Sequence, residues 1–533
     1  MSHFAFTHPY PTRAPVLARN MVAASQPLAA QAGIQALARG GNAIDAALAT
    51  AIALTVVEPT MNGIGGDAFA LVWDGDRLHG LNASGRAPLA WNPQRFAGLD
   101  RMPALGWGSV TVPGAVSSWM ALSERFGALP FEDLFESAIR FARDGFAVSP
   151  VIARQWADAT VQLAGQPGYA DAFMPHGRAP AAGERWRFPA QADTLHEIAR
   201  TRGESFYRGA LAQRIARFAQ ETGGALSTGD LADHRPDWVE PLAHDYRGFT
   251  VHEIPPNGQG ISALMALGIL EQLSAADAPA DSAQRLHLQI EAMRLAFADA
   301  YAHVADPAHM RVTAAALLDR DYLASRAALV DRARAGRYGA GAPPTGGTVY
   351  LCAADAQGRM VSMIQSNYRG FGSGVVVPGT GIALHNRGMG FSLEHGHPNQ
   401  VAGGKRPYHT IIPAFMTRGG RPVMAFGVMG GNMQPQGHLQ VAMRFVDDRC
   451  DPQSCSDAPR WRIDDEGRVT VESRVPERTV ADLNAMGHAV RVMPPDSLDF
   501  GSAQLIARLS DDVEDGYAGG SDHRRDGLVA GWQ

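Results

Sequence analysis

A threonine hydroxyl is almost wholly protonated near neutral pH and attacks a carbonyl only when a base stands beside it. A free α-amine on the same residue is such a base, because a group titrating at about 8 is substantially neutral at working pH. Thr348 is placed where this chemistry could arise. Residues 336–347 read GRYGAGAPPTGG, a stretch whose Gly and Pro suit neither helix nor strand and which reads as flexible. Thr348-Val349-Tyr350-Leu351-Cys352-Ala353-Ala354 then reads as a strand. An internal threonine has no amine, so the chain would have to be cut between Gly347 and Thr348, and the preceding stretch is one that tolerates a cut. A threonine that merely opens a strand looks the same, so this segment does not decide alone.

Two neighbouring patterns bear on it. Asp355-Ala356-Gln357-Gly358 reads as a hairpin turn and Arg359–Ser366 as the return strand. If Ala354 pairs with Arg359, Thr348 faces Gln365 and lies next to Ser366, a hydroxyl that could orient the nucleophile. Downstream, Phe426-Gly427-Val428-Met429-Gly430-Gly431-Asn432-Met433 runs from a strand into a helix expected from about Pro435. Gly430 and Gly431 at such a junction present backbone N–H groups with no side chain in the way, a candidate oxyanion hole, although an ordinary strand–helix turn has the same appearance.

The elements that must position these residues are legible in outline. Pro27–Arg39 reads as a helix stopped by Gly40-Gly41, and Asn42 can cap a second helix over Ala43–Val57. Ala68–Trp73 and Arg77–Asn82 read as strands joined at Asp74-Gly75-Asp76. Residues 115–240 and 280–335 are mostly helical in pattern, and strands recur at Gly374–Val377, Ile411–Thr417 and Pro422–Val428.

Composition bounds the function. The chain has 533 residues, a net charge of −6 and 46% hydrophobic residues, enough for a sizeable core and no electrostatic case for nucleic acid or an anionic membrane as a partner. Three cysteines and no C-x-x-C exclude a disulfide framework, and Cys352 alternates with core residues rather than standing as a nucleophile. The N-terminal stretch has no apolar run of signal-peptide length and no segment has the length of a membrane span, so a cytoplasmic location is expected. His395-Gly396-His397 lacks a third ligand, Gly63-Ile64-Gly65 lacks a preceding strand, and no G-x-S-x-G elbow or P-loop occurs, so no metal or cofactor is expected.

Taken together, several blocks resemble the γ-glutamyltranspeptidase family. Thr348–Asp355 is similar to the family's TTHxSVVD, where the first Thr is the nucleophile. Gly372–Ile382, Lys405-Arg406-Pro407, Gly430-Gly431 and Asp457-Ala458-Pro459-Arg460 follow in the family's order. Upstream, Gly40–Ala47, Gly63–Gly66 and Val112-Pro113-Gly114 also match. The resemblance covers nearly the whole chain. It implies an α+β fold, the αββα four-layer sandwich of N-terminal-nucleophile hydrolases, and self-cleavage into a large subunit (1–347) and a small one (348–533), with a dimer of these left open. Thr348 would be the nucleophile, Ser366 its neighbouring hydroxyl, and Gly430 and Gly431 the oxyanion hole.

The departures bear on substrate. The family's glutamyl pocket uses an Arg and two Ser for a carboxylate, and an acid with amides for an ammonium. Here the corresponding block is His385-Asn386-Arg387-Gly388-Met389-Gly390-Phe391, with Gly390 in place of the acid and Arg387 in place of a Gln. The Ser pair is His409-Thr410, an Asn falls at Tyr368, and Ser84 stands at the Arg position with Arg86 two residues on. A pocket of Arg86, Tyr368, Arg387, His409 and Thr410 suits an anion and offers little to an ammonium. The stretch from Ser392 to Lys405 is short, implying a reduced lid. The variant set resembles the leaderless subgroup that includes oxamate amidohydrolase. Hydrolysis of an amide on a small anionic acyl group is therefore expected. A glutathione or γ-glutamyl hydrolase with a rebuilt pocket, and a non-catalytic binding protein of the same fold, are the alternatives.

Overall fold

The computed structural model describes residues 3–6, 10, 13–336, 338, 347–464, 466–495 and 497–533. Two seven-stranded sheets dominate it. The first runs, edge to edge, through Leu528–Trp532, Asn20–Ala24, Gly347–Ala354, Met360–Tyr368, Asp67–Trp73, Leu78–Asn82 and Asp237–Val239. The second runs through Val16–Ala18, Tyr517–Ser521, Ser502–Arg508, Arg421–Met429, Ala414–Arg418, Phe249–Glu253 and Leu242–Tyr246. All pairings within these two sheets are antiparallel.

The period-2 alternation of a strand sorts side chains between two apolar cores. In the Thr348 strand, Tyr350, Cys352 and Ala354 join Phe415, Ala425 and Ile506 of the second sheet in one buried cluster. Val349, Leu351 and Ala353 point the other way, into a cluster with the helices Pro27–Ala38 and Ala43–Val57. The outer face of the second sheet, including Met416, Met424 and Phe426, packs with Ile261–Gln272, Ala283–His303 and Met433–Val446. The chain is thus mixed α and β, with the Thr348 strand third from one edge of its sheet and buried on both faces.

Most expected helices and strands appear within a residue or two of their predicted ends, the strand expected from Ile411 begins only at Ala414, and Asn42 forms a reciprocal capping box with Asp45. Cys352 is fully buried between the sheets, and burial pushes its thiol pKa far up, which fits a packing role. The stretch expected to be flexible lies largely outside the described residues. Among the described residues, no helix is long and apolar enough to cross a membrane.

Candidate active site

Thr348 lies almost at the start of its strand and is only 1% exposed. Its register differs by one residue from the sequence reading. Ala354 pairs with Met360 rather than Arg359, because Asp355 holds a longer turn. Its backbone N–H donates to the Arg359 carbonyl at 3.1 Å, and its carboxylate accepts from the N–H groups of Gln357 and Arg359. Gly358 takes φ +89°, the left-handed residue that a three-residue hairpin loop requires. The ladder then pairs Val349 with Gln365 and Gly347 with Tyr368, so Thr348 stands opposite Ser366 and Asn367 across an irregularity. Its Oγ1 is 3.3 Å from Ser366 Oγ, and Ser366 Oγ accepts the Tyr368 N–H at 2.7 Å. Tyr368 sits at φ +76°, the bend that closes this contact.

The second sheet brings the glycine pair. Arg421–Met429 ends directly before Gly430 and Gly431, at φ +126° and +61°, conformations that strain any residue with a Cβ. The Gly430 carbonyl accepts from Met433 N–H at 3.0 Å, and that of Gly431 from Gln434 N–H at 3.2 Å and Gln259 Nε2 at 2.9 Å. In a planar trans peptide the N–H points opposite to the C=O, so tying both carbonyls back leaves the next N–H groups on the other side of the turn. Gln434, in the first turn of Met433–Val446, donates from Nε2 to Thr348 Oγ1 at 3.3 Å while its Oε1 accepts the Ile412 N–H at 3.0 Å. Gln434 was not among the residues expected from sequence; its place just after a glycine pair at a helix start was the available signal.

Behind Tyr368 lies a buried charged cluster. The Arg387 guanidinium stacks 4.5 Å from the Tyr368 ring, and its Nη1 donates to Thr410 Oγ1 at 2.7 Å. Its Nε and Nη2 are buried without a hydrogen-bond partner. Burial and the Asp67 carboxylate act oppositely on Arg387, and burial wins, bringing its pKa down to about 10. Asp67 was not among the expected residues. Its carboxylate accepts from His409 Nε2 at 3.0 Å and from the backbone N–H groups of Gly114 and Gly85. Burial raises its pKa to about 7 despite the nearby Arg387. His409 is held neutral by burial, and burial takes His385 down to about 3, so both imidazoles are uncharged at neutral pH. His409 Nδ1 accepts the Ile411 N–H, which leaves the Nε2 proton for Asp67.

Thr348, Ser366, Tyr368, Arg387, His409 and Thr410 are therefore linked by consecutive contacts, and Gly431 joins them through Gln259, which also holds the Thr410 carbonyl. Arg86 stands apart. Its side chain is half-exposed and pairs with Asp306 at 3.0 Å and with the Gly404 carbonyl. Ser84, at the family's Arg position, is engaged with Asn82 and Asn257. An open cavity of about 300 Å³ reaches Thr348 and Gly430 and is also lined by Arg369, Arg462 and Arg525. Sequence spacing gave no sign of these three, since they come from distant segments that only the fold assembles. Away from this site, His287, Glu291 and His488 could hold a cation, but their atoms already serve one another, Gly336 N–H and Arg294.

A strand-initial threonine facing a second hydroxyl and a glycine turn between two sheets is the arrangement of an N-terminal-nucleophile hydrolase. The sequence profile of gamma-glutamyltranspeptidase matches residues 29–532, and the chain belongs to that family. It is 37% identical over 532 residues to the oxamate amidohydrolase proenzyme of Klebsiella pneumoniae, covering 97% of this chain and 99% of that protein. It is 36% identical over 523 residues to the glutathione hydrolase-like YwrD proenzyme of Bacillus subtilis, covering 96% and 98%. The crystal structure of cephalosporin acylase from Bacillus halodurans superposes with a TM-score of 0.92 at 48% identity, covering 99% of each chain.

Proposed function

We propose that this enzyme matures by self-cleavage between Gly347 and Thr348 and then hydrolyses the amide of a small anionic acyl group, of the oxamate kind, within an αββα four-layer sandwich. In the first reaction Thr348 Oγ1 attacks the Gly347 carbonyl and the peptide shifts to an ester. Water splits the ester, leaving the Gly347 carboxylate and a free Thr348 α-amine. In turnover that amine takes the Oγ1 proton as Oγ1 adds to the substrate carbonyl. The oxyanion is held by N–H groups of the Gly430–Gly431 turn, the proton passes to the departing amine, and water then hydrolyses the acyl ester. Ser366 and Gln434 orient Oγ1 throughout.

One observation carries the substrate class. Arg387 is a buried cation with two unpartnered donors beside Thr410, while Gly390 stands where the family keeps an acid for an ammonium. A buried guanidinium with free donors is costly until an anion fills it, and a carboxylate matches its forked geometry. The two curated relatives differ here. The oxamate amidohydrolase supports this reading, and the glutathione hydrolase-like protein supports a γ-glutamyl substrate. Assaying oxamate and glutathione side by side on the cleaved enzyme decides between them. Faster turnover of oxamate is expected, and a clear preference for glutathione would overturn the anionic-acyl reading.

A further inference from the structure

Both sides of Thr348 are cationic. Beyond Tyr368 lies Arg387, itself buried, near a cavity of about 970 Å³ lined by Tyr368, Gly390 and Arg369. On the Thr348 side, the cavity that reaches Thr348 and Gly430 is lined by three arginines, Arg369 again among them, and one acid, Asp499. Asp499 is committed to Arg462, through its carbonyl at 3.2 Å and its carboxylate at 3.6 Å. Among the described residues, Arg369 and Arg525 have no such partner at the cavity. Arg525 is 92% buried, being 8% exposed, yet its Nε and Nη1 make no hydrogen bond. Glu58, Asp522 and Asp526 offset its charge without bonding those atoms, Arg154 adds to it, and burial pushes the Glu58 pKa up to about 7, which weakens the Glu58 offset near neutral pH. The Nε of Arg369, one residue after Tyr368, is likewise buried and unpartnered. Two guanidiniums that line one small cavity beside the attacking oxygen, each with donors that make no hydrogen bond, form a place for an anion.

We infer that Arg369 and Arg525 form a second anion subsite, which takes a carboxylate on the amine portion of the substrate, the part that leaves. This rests on the proposed reading that the acyl group occupies the Arg387 side, since the two ends of a scissile amide must lie on opposite sides of the attacked carbon. The preferred substrate is then an oxalyl-type amide anionic at both ends, with oxamate itself, which releases ammonia, filling only the acyl side, and the cavity at Thr348 is the exit for the amine. Because Arg369 is only partly buried, salt should weaken its contribution.

The test uses the mature enzyme and paired amides of oxalic, glutaric and γ-glutamyl acids, each made with aniline and with 3-aminobenzoate. For every acyl group that is cleaved, the ratio of kcat/KM for the carboxyanilide to that for the anilide is measured. A ratio of about 10 or more is expected, falling several-fold in Arg369→Gln and in Arg525→Gln. Arg525 is packed among acids, so Arg369→Gln at the cavity mouth answers if the other variant fails to fold. A wild-type ratio near or below 1, or a ratio unchanged in the folded variants, overturns the subsite. Failure of the anionic-acyl reading shows separately, as γ-glutamyl amides preferred over oxalyl and glutaryl whatever the leaving group. An enzyme that cleaves none of the six overturns both.

Discussion

The Thr348 side and the Arg387 side of this site are built by different means. Around Thr348 the parts are hydroxyls, an amide and backbone, held by strand register, a bulge and two glycines at positive φ. Beyond Tyr368 the parts are ionisable groups buried together, where Asp67, His385, His409 and Arg387 shift one another's protonation. On the proposed reading, the first region would fix where a bond is attacked and the second which charge is accepted. Chemistry would then depend on position, which register supplies, and selectivity on electrostatics, which burial amplifies.

The sharpest way to break this comparison is Thr348→Ala. Intact-mass measurement should give a single uncut chain near 56.8 kDa with amidase activity at background, and two subunits from this variant would remove Thr348 from its role. Next in size, Arg387→Ala should lower kcat/KM for an anionic acyl substrate by roughly 10- to 100-fold, the worth of one charged hydrogen-bonded contact of about 1.5–3 kcal/mol, while self-cleavage proceeds. An unchanged kcat/KM would take Arg387 out of the pocket.

A smaller effect separates the regions by pH. Burial raises Asp67 to about 7, so it is largely neutral below that pH and anionic above it, where it competes for Arg387. KM for an anionic substrate should therefore rise as pH passes upward through about 7, and Asp67→Asn should flatten that rise. Stability follows the same group. Its folded pKa lies above its unfolded one, so the folded state binds more protons between about pH 4 and 7, and stability falls as pH rises across that window. The smallest effect is expected from Ser366→Ala, a loss of roughly 2- to 10-fold in both self-cleavage and turnover, as one neutral hydrogen bond allows. A loss in only one of the two would mean the hydroxyl serves them differently.

Much of the positional region was readable from sequence, because periodicity, turn residues and glycine pairs are local signals. The exception was the register, where Asp355 bonding forward to Gln357 and Arg359 lengthened the turn by one residue and moved the facing position from Gln365 to Ser366 and Asn367. The electrostatic region was less readable. Arg387 was recognised as cationic, but its burial under Tyr368 and its coupling to Asp67 depend on strands and loops far apart in the chain. Arg86 looked equivalent by neighbourhood, yet it ends half-exposed against Asp306. Arg369 and Arg525 carried no local pattern at all.

The contacts of Thr348 with Ser366 and Gln434, and the glycine turn that shares its cavity, are already assembled in the continuous chain. Ripening would then be a first-order event, indifferent to dilution and needing no helper. It would also make the protein its own first customer. A drifting sequence that spoils this corner forfeits birth as well as trade, so inherited change in the vicinity is screened once per molecule before any outside compound arrives.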